Sequence, residues 1–546
     1  MLQQDVLNWY EASLPPQERK LRGHFSTPPQ LVERILDACG YTTDKNLARI
    51  RVLDPACGSG NFLAGVTSRL LTATHRVGLS HKAQMAAVQR NIWGFDPDPV
   101  ACFLAEMQLR TILTEESQEC HTHGCRACKH KQTAVLHIHQ ADGLAFRWEQ
   151  TANIDLFLAN PPYLATKNND LSGYQNTRQR GQPDSYLLFL NLALQVVRPG
   201  GWIGLVIPDP VLARTNATIE RQRLLAETTI HSLWHLSGVF PAYVGAAVLV
   251  AQKRPAPSVH QVTWLRGAWP RQQGRATKNT VFFEESSTVS ENKKQLILQS
   301  LLRSQPGAEL RYLLSSVQDS LVGRLHAYLS MDRAMQERRF IPLDELVLIR
   351  RGEELSKNSR FLVQKKPADE QDWLPILRGG VDLQPYTHPV ADCWIQRERV
   401  MKPLQRYRMP KLLVVKSTGR LQATLDLQGH VVLQTLYLLC PRTDDINDLY
   451  FLLALLNSRM LQQYVSVLYT AYKWVQPQIE QHVLTHLPIP TLEASEKASI
   501  CQRAQALIHA CGGMKAVVEW DEQYKWMYEE QEHAICALYE KILLAR

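Results

Sequence analysis

Four polar segments, each placed after a short apolar run, hold the residue types that chemistry needs. Asp54-Pro55-Ala56-Cys57-Gly58-Ser59-Gly60-Asn61-Phe62 is glycine-rich and opens on an acid. Glycine has no Cβ, so such a turn lets a ligand approach the backbone closely. No Gly-Lys-Ser/Thr follows, which excludes a Walker loop, and Leu63 stands where a dinucleotide fingerprint has its third glycine. The opening acid would repel a diphosphate. It suits a cation such as S-adenosylmethionine, which bears a sulfonium and an ammonium and no phosphate. Asp54, Ala56, Gly58 and Gly60 are the candidate contacts, against the plainer reading of a tight strand-to-helix turn. Asp96 in WGFDPDP has the chemistry to accept two ribose hydroxyls in charge-assisted bonds. Asp96 or Asp98 can instead cap a helix. Asp142 in HQADGLAF offers an acceptor for an adenine amine. An acid at three successive strand ends says more than any one of them.

The fourth segment is Asn160-Pro161-Pro162-Tyr163, after IDLFLA. An exocyclic amine on an aromatic ring is a poor nucleophile because its lone pair is delocalised into the ring. Acceptors for its two N–H groups localise that pair. The Asn160 side-chain oxygen and the Pro161 carbonyl supply them, while Pro161 and Pro162 fix φ and hold the carbonyl still. Tyr163 offers a face on which a base taken out of its stack can rest. No general base with a shifted pKa is needed, since the amine sheds its proton after methylation.

The elements that must position these residues alternate. Arg51–Leu53, Ile92–Phe95, Val135–His139 and Ile154–Ala159 read as strands leading into Asp54, Asp96, Asp142 and Asn160. Trp202–Ile207 and Ala246–Gln252 follow, with helical stretches at Asn61–Thr72 and Ser185–Val197. Strands alternating with helices predict βαβ units and a mostly parallel sheet with helices on both faces, whose ligands bind at the carboxyl ends of the strands. Beyond Lys253 the pattern breaks. A helical stretch is predicted over roughly Ser290–Arg338, a strand-rich region over Phe340–Pro490 containing a helix at Leu449–Tyr464, and two amphipathic helices over Glu493–Arg546 with a break near Cys511–Gly513.

The 546 residues are 45% hydrophobic and 21% charged, which excludes collagen-like, disordered and disulfide-miniprotein classes. The longest apolar run, Ala242–Ala251, is about half of a bilayer span, so no membrane partner is expected. Eleven cysteines, mostly scattered singly, suit reduced thiols in a prokaryotic cytoplasm. The net charge of +9 permits a polyanionic partner. Met401–Arg420 carries six basic residues and no acidic one.

The order of these segments resembles an N6-adenine DNA methyltransferase of the TaqI type: cofactor half, NPPY, then a C-terminal target recognition domain. The resemblance spans roughly Gly23–Pro490. HFSTPP (His24–Pro29) resembles the motif lying over the cofactor, which implies Thr27 as a contact. GVFPAYVGAAVLVAQK resembles the segment with a second aromatic against the flipped base, which implies Phe240. LRGGVDL, KLLVVKSTGRLQATLD, LALLNSRMLQQYV and LPIP resemble parts of the recognition domain, and Lys402, Arg406, Lys411 and Arg420 become its phosphate contacts. The implied fold is a Rossmann-like α/β methyltransferase sheet with a mixed α/β recognition domain and a helical tail. Its expected boundaries are 1–255 for the catalytic domain, 256–338 for a connector, 339–490 for recognition and 491–546 for the tail. The implied cofactor is S-adenosylmethionine and the implied partner double-stranded DNA, with a cognate restriction or defence subunit as a further partner.

Two departures stand out. An insertion between Asp96 and Asp142 holds Cys120, Cys125, Cys128 and His130, enough N/S ligands for one structural zinc, although the spacing fits no standard finger and a His-rich surface loop is the alternative. No nuclease signature is found, so a fused restriction–modification enzyme is not expected. Rival activities are an RNA adenine or guanine methyltransferase, a cytosine-N4 DNA methyltransferase and a glutamine methyltransferase of proteins. Cytosine-C5 chemistry is excluded, because it needs a Pro-Cys nucleophile and the chain has none.

Overall fold

Near-continuous apolar runs such as Ile154–Ala159 and Ala246–Gln252 fit strands buried on both faces, as parallel sheets require. The computed structural model describes residues 26–122, 135–145, 153–163, 184–240, 245–269, 295–331, 338–364, 372–380, 383–472, 477–511 and 522–544. The chain divides into two compact units, Met1–Tyr312 and Leu313–Arg546.

In the first unit, helix α1 (Pro29–Ala38) precedes β1 (Val52–Asp54), α2 (Asn61–Arg76), α3 (His81–Asn91), β2 (Ile92–Asp96), α4 (Pro99–Thr122), β3 (His137–Gln140) and β4 (Ile154–Ala159). Then come α5 (Ser185–Val196), β5 (Val197–Pro208), α6 (Thr218–Glu227), β6 (Thr229–Ser237), β7 (Ala246–Gln252), β8 (Gln261–Ala268), β9 (Gln295–Leu298) and α7 (Gln299–Ser304). The nine strands form one sheet in the order β3-β2-β1-β4-β5-β7-β6-β8-β9. The first five in that order are parallel, and β7 enters antiparallel to both β5 and β6. All six strands read from the first half of the sequence are present. The core joins Leu31, Ile35 and Leu36 of α1 to Leu63, Val66 and Leu70 of α2 and to the sheet.

The predicted boundary at 255 is displaced to Tyr312. β8 pairs parallel to β6 and carries β9 on its outer side, so the sheet continues through residues assigned to a connector. Buried Tyr312 closes the unit: its ring lies 4.5 Å from Trp264, and its hydroxyl lies 2.6 Å from Nδ1 of His235. The helical stretch predicted over Ser290–Arg338 contains β9 and short helices instead, because Gln299 turns the chain by bonding the backbone at Ile230, Leu225 and Thr228.

In the second unit, α8 (Leu321–Leu329) precedes two four-stranded sheets. One is β11 (Val347–Arg351), β18 (Leu436–Pro441), β15 (Lys411–Val415) and β16 (Ala423–Asp426); the other is β12 (Leu362–Val363), β14 (Cys393–Gln396), β13 (Trp373–Leu377) and β17 (Val431–Val432). β10 (Phe340–Pro342) pairs with β19 (Pro488–Pro490). The helix predicted over Leu449–Tyr464 is two, α9 (Ile446–Leu456) and α10 (Arg459–Leu468). Asn457 breaks it by pairing its amide with the backbone of Ala423, and Ser458 caps the next helix. The predicted tail forms α11 (Ala494–Ala510) and α12 (Glu522–Leu544), with the break at Cys511. It is no separate segment: Ile500, Leu507, Ile535 and Tyr539 share one core with α9 and α10. No helix among the described residues is long and apolar enough to cross a membrane.

Lys411, predicted to contact phosphate, is 0% exposed. It sits directly across from Asp426 in the β15/β16 register and pairs with it at 2.6 Å. Asp426 also accepts from the backbone of Gln428, Gly429 and His430 and lies 2.9 Å from the His430 ring nitrogen. Lys411 is therefore a structural cation beyond reach of any surface ligand. Burial alone would raise the Asp426 pKa, but the His430 bond and the Lys411 charge outweigh it and hold the carboxyl below its usual range. A depressed acid stabilises the fold above its unfolded pKa of about 3.9, and that stability is lost as pH falls through the folded value. We therefore predict that Lys411→Ala costs about 3–5 kcal/mol by leaving Asp426 uncompensated, read by chemical denaturation at neutral pH, and that the parent weakens below about pH 4.

Candidate active site

β1, β2 and β4 end side by side, and their last residues build the site. Parallel pairing sets Asp54 level with Gly94, and Val52 and Leu53 level with Leu156 and Phe157. The glycine-rich turn and Asn160-Pro161-Pro162-Tyr163 therefore leave the sheet at the same edge.

The turn is tied by short bonds. Asp54 is 1% exposed and accepts from the Ala56 N–H at 3.1 Å. The Asp96 carboxylate accepts from the Gly58 N–H at 3.0 Å and from the Asp98 N–H at 2.9 Å. Asp98 accepts from the Val100 N–H at 2.9 Å at the start of α4, so the two aspartates divide the work: Asp98 caps the helix and Asp96 faces the turn. Gly58 has φ +52°, and a Cβ there would meet nothing within 4 Å among the described residues, so the space over the turn is open to them. Gly60 has φ +93° and starts α2; a Cβ there would lie 2.8 Å from Ala105. Asp142 accepts from the Leu144 N–H at 2.9 Å, and the adjacent Gly143 packs so closely that a Cβ would run into the Pro55 carbonyl.

Thr27 is buried, and its carbonyl accepts from the Asn61 amide at 2.9 Å; Ser26 and Ser59 bring their hydroxyls within 3.3 Å. The segment before α1 thus lies against the glycine-rich turn. Asn61 and Gly143 pack at the turn beside the residues the sequence singles out there.

Pro161 is buried, and Asn160, Pro162 and Tyr163 are half-buried. The Ser185 hydroxyl donates to the Pro162 carbonyl and holds the loop from α5. No local signal marks Ser185, because its partner stands 23 residues earlier in the chain. The Tyr163 ring meets that of Phe240 at 6.0 Å and 78°, and its hydroxyl reaches the Val206 carbonyl at 3.5 Å. Phe240 is buried in the sheet core. The two rings stand edge to face, so they do not offer two parallel faces.

The electrostatics exclude some chemistries. Burial, and secondarily the charges of Asp54 and Asp96, push the Cys57 thiol well above its usual range, so it is no thiolate nucleophile at neutral pH. Burial, then the charge of Asp209, raises the Tyr163 hydroxyl. Asp54 is pushed up to about 8, chiefly by burial, helped by the Asp96 charge and opposed by the Ala56 bond.

In the second unit, Lys402 and Arg406 lie on the end of β11. Lys402 Nζ donates to the carbonyls of Gly352 and Arg351, and Arg406 to that of Arg351. Arg420 is exposed. Unforeseen in the sequence, buried Glu353 organises this loop: its carboxylate accepts from the N–H groups of Met401 and Lys402 at 3.1 Å and from the Tyr407 hydroxyl at 2.7 Å. Cys125, Cys128 and His130 lie outside the described residues, as does the side chain of Cys120 on α4. Among the described residues no group of three or more His, Cys, Asp or Glu assembles that would hold a metal. The zinc expectation has no support.

The family model named N-6 DNA Methylase matches residues 4–299, more than half of the chain, and a TaqI-like C-terminal specificity domain matches residues 374–489. The chain belongs to the N-6 DNA methylase family. Type II methyltransferase M.BstVI of Geobacillus stearothermophilus is 27% identical over 199 residues, covering 35% of this chain and 34% of that protein. M.XhoI of Xanthomonas vasicola is 27% identical over 202 residues, with 34% of each covered. The match thus spans about a third of these relatives. Type II methyltransferase M.TthHB8I of Thermus thermophilus is 25% identical over 500 residues, 88% of this chain and 94% of that protein. Among solved structures, the Type IIL restriction-modification enzyme MmeI in complex with DNA matches at TM-score 0.66 and 12% identity, over 98% of this chain and 78% of that one. The DrdV–DNA complex matches at 0.56 and 12%, over 93% and 59%. At such identities the likeness is one of fold.

Asp54 should titrate near pH 8 in the ligand-free protein, and Asp96→Asn should lower that midpoint by removing a neighbouring negative charge. Carboxyl-carbon NMR titration of parent and variant measures both.

Proposed function

We propose that this protein is a site-specific DNA methyltransferase that transfers a methyl group from S-adenosylmethionine to N6 of an adenine turned out of the duplex. The reading rests on one juxtaposition: the Asn-Pro-Pro-Tyr loop leaves β4 beside the acid-opened glycine turn of β1. The turn fits such a cofactor. Among the described residues it leaves open space above Gly58, and it sets buried Asp96 and Asp54 together, acidic groups that suit a cation rather than a diphosphate. Asp96 would hold the ribose hydroxyls with its carboxylate, which the backbone N–H groups of Gly58 and Asp98 orient. Asp142 would take the adenine amine, Thr27 would cover the site, and Asp54, with Ala56, Gly58 and Gly60, would shape the floor. Bound there, the cofactor supplies a methyl on a sulfonium that leaves as a neutral thioether.

The chain's own part is to orient and to accept hydrogen bonds. Asn160 and the Pro161 carbonyl accept from the target amine and localise its lone pair. Ser185 holds the adjoining Pro162 carbonyl, so the loop need not rearrange during the reaction. Tyr163 offers its face to the base. Phe240 is buried edge to face against Tyr163 and would support that ring rather than offer a face of its own to the base. Duplex DNA is the partner, with Lys402, Arg406 and Arg420 on the second unit as candidate phosphate contacts. The type II methyltransferase relatives support a place in a restriction–modification or other anti-phage system, with a separate subunit cutting unmodified DNA.

Sequencing of DNA from cells expressing the protein, with detection of modified bases, should report N6-methyladenine at one recurring motif. N4-methylcytosine, or no modification, would overturn the reading. Asn160→Ala should slow methyl transfer by about 10²–10³-fold with cofactor binding intact, measured by single-turnover assay and calorimetry. Tyr163→Ala should cost about 1–3 kcal/mol in base stacking, read with a fluorescent base analogue at the target position. Phe240→Ala should act mainly on the fold, destabilising it by about 3–5 kcal/mol in thermal melts.

A further inference from the structure

We propose that Arg214 binds a backbone phosphate beside the flipped nucleotide, with Asp184 orienting its guanidinium. This rests on the DNA reading above. β4 and β5 pair in parallel, with Ala159 level with Leu205, so the chain leaving β5 emerges at the same sheet edge as the catalytic loop. Arg214 lies on that emerging segment, just after the short turn Asp209–Leu212.

Two sets of bonds hold it there. Its N–H donates to the Pro210 carbonyl at 2.9 Å, and its carbonyl accepts from Arg221 at 2.7 Å. Arg221 is fully buried and bonds the carbonyls of Val211 and Gly307 as well, so the backbone at Arg214 is clamped. Its side chain is aimed separately: Nη1 donates to Asp184 at 2.9 Å, and Asn216 donates to the same oxygen at 3.3 Å. Asp184 is 7% exposed and immediately precedes Ser185, whose hydroxyl holds the Pro162 carbonyl of the catalytic loop. One dipeptide therefore fastens the loop with one residue and the arginine with the other.

The pair is poorly explained as a stabilising brace. The Arg214 side chain is 51% exposed, and ion pairs of that kind contribute little to folding. Among the described residues its guanidinium makes that one side-chain bond and keeps its remaining donors. Turning a nucleotide out of the duplex rotates it about its backbone and brings its flanking phosphates to the pocket mouth. A planar guanidinium with spare donors matches phosphate oxygens in a bidentate way that an ammonium does not.

The test compares the full-length parent with Arg214→Ala, Arg214→Lys and Asp184→Asn, using a duplex that carries the methylated motif. Arg214→Ala should weaken DNA binding about tenfold to a hundredfold and lower the slope of log K against log salt by about 0.9. Cofactor affinity and melting temperature should stay at the parent's values. Arg214→Lys should keep the slope and lose part of the affinity, and Asp184→Asn should fall between parent and Arg214→Ala. An unchanged slope in Arg214→Ala overturns the proposal, whether activity is retained or is lost together with melting temperature. A parent that binds DNA but transfers no methyl group overturns the function reading and leaves the slope comparison to judge Arg214. A parent with no affinity for DNA overturns both.

Discussion

The bond from the Gly58 N–H to the Asp96 carboxylate joins the ends of the first two strands, and the rest of the site is arranged around it. It requires positive φ at Gly58, which sends the chain into α2 through a second positive φ at Gly60. Behind it Asp54 is buried, and chiefly for that reason, with the nearby Asp96 charge adding to it, Asp54 holds its proton up to about 8. It also leaves no room behind the turn: Gly60 lies against Ala105 and Gly143 against Pro55. Among the described residues, the side above Gly58 is open. A cation reaching the turn would offset the cost of ionising buried Asp54 and favour its charged form.

The second unit uses buried acids differently. Glu353 and Asp426 lie inside a region rich in Lys and Arg, and each spends its lone pairs on the protein. Glu353 takes the backbone of Met401 and Lys402 and the Tyr407 hydroxyl; Asp426 takes Lys411, His430 and three N–H groups. Fixing a basic loop from beneath lets its outer cations be placed without mutual repulsion deciding their positions. The cost is one lysine withdrawn from the surface. A run of six basic residues is therefore not a run of six ligand contacts, because Lys411 opens β15, a strand buried along its whole length, and pairs inside with Asp426.

Much of the catalytic unit was legible in the sequence. Strands Ile154–Ala159 and Ala246–Gln252 appear at the bounds read for them, and Asp54, Asp96, Asp142 and Asn160 stand at the strand ends where they were placed. These features are local. An apolar run followed by an acid or an Asn-Pro-Pro turn defines a strand and its exit through neighbours in the chain, and the helices between β1 and β2, β2 and β3, and β4 and β5 allow the parallel crossovers.

Only the tertiary structure decided the burial of Lys411, the hub at Glu353, the edge-to-face meeting of Tyr163 with Phe240 and the fastening of Arg214 by Asp184. It also decided that residues beyond 255 extend the catalytic sheet and that the last two helices share the core of the second unit. Each of these couples residues that lie far apart in the chain, and no period or local motif records such a pair. Whether a charged side chain serves a ligand or the fold depends on which distant group it meets and how much water is left between them. That is settled only when the strands pair and the core closes.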